Sequence, residues 1–161
     1  MTQDHELFML WFAEPLRALE KMPSGQGGFV ALATACSLYE RYAKASLSKR
    51  GMAADRPNLI GQLGIDFSVD GATADAFWAV IRDGILHQAM PVQKKRSAPL
   101  PRWAFHHNYP VMSLEEINGE QFLKVQPWKF MDRVLELWEA NFSLLGTSGS
   151  FPWATIGPVP A

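Results

Sequence analysis

Apolar positions recur at three- and four-residue steps through most of the chain, the period of amphipathic helices. Leu7, Leu10, Trp11, Leu16 and Leu19 form the first stripe and predict a helix capped by Asp4 and running to about Met22. Pro15 sits inside that pattern and should kink or split it, because proline has no amide hydrogen for the preceding turn. A breaker cluster of Pro23, Gly25, Gly27 and Gly28 follows. Phe29, Leu32, Cys36, Tyr39 and Ala43 then predict a long second helix from about Gly28 to Arg50. Glu40, Arg41 and Lys44 fall off its stripe, Lys49 and Arg50 suit the negative end of its dipole, and Gly51 is a natural stop. Beyond a loop through Arg56 and Pro57, Asn58 caps a shorter helix with Leu59, Leu63 and Phe67. Interior Gly61 and Gly64 weaken it by about 1 kcal/mol each relative to alanine. Asp70 or Thr73 opens the next helix, whose stripe is Phe77, Ile81 and Ile85 and which Pro91 helps stop near Met90.

The pattern then changes. Val92 to Pro101 is basic and proline-bearing and predicts a loop. Asn118-Gly119, flanked by Leu114–Ile117 and Gln121–Val125, is a strong hairpin signal, since both turn positions favour positive φ. Trp103 to His107 is a candidate third strand. Pro127 at a first helical position, followed by Phe130, Val134, Leu137, Trp138 and Leu145, predicts an amphipathic last helix closed by Gly146. The tail, 147–161, is rich in glycine and proline and predicts irregular structure packing through Phe151 and Trp153. The sum is a mainly all-α fold. It is one domain over 1–161, a bundle of four to five helices with a small β-hairpin inserted at about 102–126.

Composition narrows the function classes. With 161 residues, 48% apolar and 19% charged, the chain is long and apolar enough to bury a real core. A net charge of -1 argues against a whole-surface grip on nucleic acid, leaving room only for local basic patches. The single cysteine, Cys36, rules out an intramolecular disulfide and a cysteine zinc cluster, and its place on an apolar stripe predicts a buried thiol. No apolar run reaches membrane-spanning length, and the start Met-Thr-Gln-Asp-His-Glu lacks a basic leader region, so a cytoplasmic protein is expected.

Chemistry concentrates in one stretch. Within Phe77–Pro91, Arg82, Asp83 and His87 lie off the apolar stripe. Asp83 and His87 are four residues apart and share a helix face. Arg82 and His87 are five apart and diverge around the axis, so a tight site needs a second surface. The run Arg82-Asp83-Gly84-Ile85-Leu86-His87 resembles the Arg-(Asn/Asp/His)-x3-His motif of the HEPN superfamily (higher eukaryotes and prokaryotes nucleotide-binding domains). Asp83 stands where asparagine is commoner. The likeness, as a pattern only, extends over roughly Gly28 to Met90 and the last helix; the hairpin and the tail are not part of the family's core.

That resemblance implies a four- or five-helix bundle, a homodimer with two motifs facing across a two-fold cleft, and metal-independent cleavage of RNA. Arg82 and His87 would be catalytic, with Asp83 holding the His87 ring or facing Arg82. No cofactor is expected. Toxin, defence component and RNA-processing enzyme are all compatible with it, and a toxin would bring an antitoxin-like protein partner. The alternatives are a catalytically inactive HEPN-like module that binds nucleotide or protein, and an unrelated helical protein that binds a partner through its tryptophan- and methionine-rich surface.

Other residues enter as supporting candidates. Trp78, one turn before Arg82, would stack on a base or on the Arg82 plane, or anchor a dimer. Lys94, Lys95 and Arg96 would track a nucleic-acid backbone or form a solvated loop. Adjacent His106 and His107 would point to opposite faces if on a strand, and no metal site is expected there. Gly25, Gly27 and Gly28 follow no strand and lack a Gly-Lys-Ser/Thr ending, so they do not make a phosphate loop.

Overall fold

The computed structural model describes residues 3–92, 94–95 and 98–144. The last helix ends at Ala140, where Asn141 leaves helical geometry, and not at Gly146 as its spacing suggested; Leu145, Gly146, the tail with Phe151 and Trp153, and Arg96 lie outside the described residues. Helix α1 (Gln3–Phe8) runs through a π turn at Met9–Ala13 into α2 (Glu14–Glu20). Pro15 sits in the first turn of α2, and the Glu14 amide donates to the Met9 carbonyl. The missing amide of Pro15 is thus absorbed by a widened turn rather than by a break. Helix α3 (Gly28–Lys49) matches the expected long helix, with Leu32, Cys36, Tyr39 and Ala43 buried.

Helix α4 (Arg56–Phe67) starts before the expected Asn58, because Asp55 rather than Asn58 is its cap. The Asp55 carboxylate accepts from the Asn58 amide at 3.0 Å, so Arg56 and Pro57 belong to the first turn and not to a loop. Leu59, Leu63 and Phe67 are buried as their spacing requires. Asp70 accepts from the Thr73 amide at 2.7 Å and caps α5 (Gly71–Phe77). A second π turn, Trp78–Arg82, carries the same rod into α6 (Asp83–Gln88). Ala89, at φ 58°, ends it.

The non-helical part is larger than a hairpin. Strand β1 (Lys94–Lys95) pairs antiparallel with β2 (Ala98–Pro99), where the sequence suggested only a loop. Strands β4 (Met112–Ile117) and β5 (Glu120–Val125) form the expected hairpin, with Asn118 and Gly119 at φ 54° and 80°. Strand β3 (Arg102–Phe105) pairs with β5 in parallel, giving the order β3-β5-β4. Met112, Leu123 and Val125 of this sheet are buried in the main core. Helix α7 (Pro127–Ala140) closes the fold, capped by Gln126, whose side-chain oxygen accepts from the Trp128 and Lys129 amides.

Helix α3 lies against α2, α4, α6 and α7. Its partner α7 buries Phe130, Val134, Leu137 and Trp138, and the Trp138 indole donates to the Leu38 carbonyl at 3.1 Å. Phe130 stacks between Phe67 and Phe77, with ring centroids 4.7 and 4.8 Å away. Among the described residues, no helix is long and apolar enough to cross a membrane.

One polar chain runs through this core. Tyr39 donates to Asp66 at 3.0 Å, Gln62 donates to it at 2.9 Å, and Arg50 donates to Gln62. Burial pushes the Asp66 carboxyl above its ordinary value, outweighing the hydrogen bonds from Gln62 and Tyr39. The sign follows: the acid is easier to ionise unfolded, so its stabilising effect is complete in acid and lost as pH rises through the folded value. Relative to Asp66→Asn, the wild type is expected to lose stability as pH climbs from about 3.9, the unfolded aspartate value, toward neutrality. Urea midpoints of both proteins across that range check this; a gap that does not change with pH contradicts it.

Candidate functional site

The π turn at Trp78–Arg82 ends where the Arg82-Asp83-x3-His87 run begins. Such turns interrupt the i→i−4 ladder and are frequent at functional sites. Trp78, Ala79, Val80 and Ile81 are buried, while Arg82 and Asp83 come to the edge of the core and His87 reaches the surface. Phe77, Ile81 and Ile85 face the core, as their spacing requires.

Arg82 is held from three sides. Its Nε and Nη2 donate to the Glu40 carboxylate of α3, and its Nη1 donates to Asp83 at 2.8 Å. Its guanidinium carbon lies 5.1 Å from the centre of the Trp78 ring. Burial works to lower the Arg82 pKa, but the two carboxylates outweigh it and raise it. The Arg82 side chain is only 17% exposed. Glu40 accepts from Lys44 as well, at 2.7 Å. Asp83 accepts from Arg56 at 2.9 Å, and the other arm of Arg56 reaches Asp75 at 3.1 Å.

Both carboxylates respond alike. Burial favours their neutral forms, yet the hydrogen bonds from Arg82 and Lys44 hold Glu40 below its ordinary range, and those from Arg82 and Arg56 do the same for Asp83. Here the sign is opposite to that of Asp66. A depressed folded value gives stability above the unfolded value, lost as pH falls through the folded one. Glu40→Gln is expected to cost about 1–3 kcal/mol at neutral pH, because Arg82 keeps its charge with half its support removed. The cost should shrink in acid as the wild-type carboxylate protonates, which urea unfolding at two pH values measures.

The placement of the remaining candidates is mixed. Asp83 turns to Arg82 and Arg56, taking up the second of its two expected roles. His87 is exposed and has no hydrogen-bond partner among the described residues. Trp78 is 3% exposed and its ring lies under the Arg82 guanidinium, the stacking on Arg82 that was one of its three expected roles. Lys94 and Lys95 sit on β1 rather than in an open loop. Glu40, the main partner of Arg82, is 42 residues away in the chain, and only its place off the α3 stripe hinted at it. Cys36 is 1% exposed and burial pushes its thiol far up, which suits a packing residue and not a nucleophile. His106 and His107 lie just beyond β3, with ring centres 4.2 Å apart, instead of on opposite faces of a strand.

Gly84 has a steric role. A Cβ there would sit 2.6 Å from the Met90 carbonyl oxygen, 2.7 Å from the Val92 nitrogen and 2.8 Å from the Pro91 Cα. The chain reverses at Ala89 and folds back onto its own helix, where the Val92 amide donates to the Val80 carbonyl at 3.0 Å. Among the described residues, no three His, Cys, Asp or Glu side chains group as metal ligands. Compared with known protein families, with characterised proteins and with solved structures, the chain matches none of them.

Proposed function

We propose that the chain is a HEPN-like endoribonuclease that works as a homodimer and without metal, through Arg82 and His87. The observation that carries the reading is the pairing of a braced arginine with an open histidine on one helix. Of the five N–H groups on a guanidinium, Arg82 gives three to Glu40 and Asp83, so two remain for phosphate oxygens. His87 stands one turn further on, exposed and without a competing hydrogen bond among the described residues.

The chemistry divides as follows. A base takes the proton of a ribose 2′-hydroxyl, whose oxygen attacks phosphorus. The bond to the 5′-oxygen breaks, and an acid protonates that leaving group. The products are a 2′,3′-cyclic phosphate and a 5′-hydroxyl. Arg82 stabilises the charge that builds on the phosphoryl oxygens. One His87 serves one of the two proton transfers, and the His87 of a second subunit supplies the other. Arg82 and His87 are separated by about 7.5 Å along the helix axis, so a facing subunit also closes the distance.

A second reading rests on the same ion pairs. If Glu40 and Asp83 satisfy Arg82 permanently, the bundle binds nucleotide or a protein partner without cutting. Incubation with single-stranded RNA in excess chelator separates the two. The nuclease reading expects fragments ending in 2′,3′-cyclic phosphate and resistance of substrates carrying a 2′-deoxyribose at the cut. Cleavage that needs added magnesium, or that spares no deoxy substrate, refutes the mechanism. An RNA left intact leaves the binding module.

A further inference from the structure

We infer that a cavity at the N-terminal end of α3 is a binding site for a neutral, planar, amino-substituted heteroaromatic ligand. The cavity measures about 710 Å³, within the size range of small-molecule sites. Phe29, Phe105 and Trp128 give it apolar walls, and His106, His107 and Glu20 give it polar edges. Glu40 lies 12 residues along α3 from Gly28, which lines the cavity, a separation of about 18 Å, so this is not the Arg82 site.

The walls are braced before any ligand arrives. Phe29 and Phe105 pack at 5.7 Å, and Trp103 backs Phe105 at 4.9 Å. The Gln126 side chain fixes the Trp128 amide at 2.6 Å. All three wall rings are half-buried, so they present apolar faces that remain open on one side.

The charges around the cavity offset one another, so an ion of either sign finds no net field to replace its lost hydration. Glu20 makes no ion pair among the described residues and stands near like-charged Asp132, whose charge Arg17 partly offsets, so this edge is weakly negative. The N-terminal, positive ends of α3 and α7 both border the cavity and offset that negative edge. A neutral ring remains. The Asn108 amide donates to His106 Nδ1 at 3.2 Å, which puts the proton of the neutral imidazole on Nε2 and makes that edge a donor. Glu20 offers an acceptor. A flat ring with a ring nitrogen toward His106 and an amino group toward Glu20 answers both.

The test is direct binding to the full chain by calorimetry, with adenosine as the neutral probe and benzoate and benzyltrimethylammonium as charged comparators. Saturable binding of adenosine is expected, with both ions at least about tenfold weaker. The double variant His106→Ala/His107→Ala changes two exposed side chains and should weaken adenosine about tenfold, while Glu20→Gln should improve benzoate. Because the inference is independent of the nuclease reading, His87→Ala should bind adenosine as the wild type does. Three outcomes overturn it: no saturation by adenosine, binding indifferent to the double variant, or either ion binding as tightly. Loss of binding in His87→Ala alone also overturns it, by assigning the ligand to the motif helix.

Discussion

On the nuclease reading proposed above, His87→Ala is expected to slow chelator-resistant RNA cleavage by ~10²–10⁴-fold, the usual worth of a positioned proton-transfer group. The same change should leave the unfolding midpoint nearly in place. His87 is exposed and makes no hydrogen bond among the described residues, and substitutions of that kind usually stay within about 0.5 kcal/mol. The pairing of the two measurements is what matters. A large rate loss at constant stability assigns His87 to the chemistry. Equal cleavage by wild type and variant removes it from the mechanism, and a fall in stability that tracks the rate loss assigns it to the fold.

The second large effect concerns the core. Phe130→Ala is expected to cost about 3–5 kcal/mol, near the top of the range for a single buried residue. Phe130 is fully buried, and its ring bridges Phe67 on α4 and Phe77 on α5, with an interplanar angle of 6° to the first. Tyr39 of α3 also meets it edge-on, at 6.2 Å. Removing the ring opens a void that faces three helices at once, and stiff rotamers on each side limit its collapse. For a chain of this length the midpoint should fall by roughly 6–20 °C. Ile65→Ala on the same helix as Phe67 is the control: Ile65 is 70% exposed, and the change should be nearly neutral. Thermal unfolding of the two variants side by side decides the matter.

Much of the bundle was legible because helix signals are local. The Leu32–Cys36–Tyr39–Ala43 stripe, the Asp70 cap and the Asn118-Gly119 turn each act within a few residues, and each appears where its spacing put it. The start of α4 was misplaced because Asp55 and Asn58 are both good caps. The carboxylate of Asp55 takes the amide of Asn58, so the later residue is spent inside the first turn. What depends on distant partners was not legible. Strand β3 pairs in parallel with β5, whose residues lie 20 positions away, and no pattern of alternation reveals such a partner. The brace on Arg82 comes from Glu40, and the burial of Trp78 comes from its packing in the core behind Arg82. The sequence showed a charged pair beside a histidine, but not that the arginine's charge is already answered from another helix.

Gly84 bears on how the chain would behave in a genetic screen. Its Cα faces returning backbone on three atoms, none of which can swing aside as a side chain would. Libraries randomised over Arg82–His87 would therefore accept almost nothing but glycine at that position, whatever activity was selected. Loss-of-function alleles would gather there for steric reasons, and any role of the neighbouring residues in activity would emerge only from clones sorted first for folded protein.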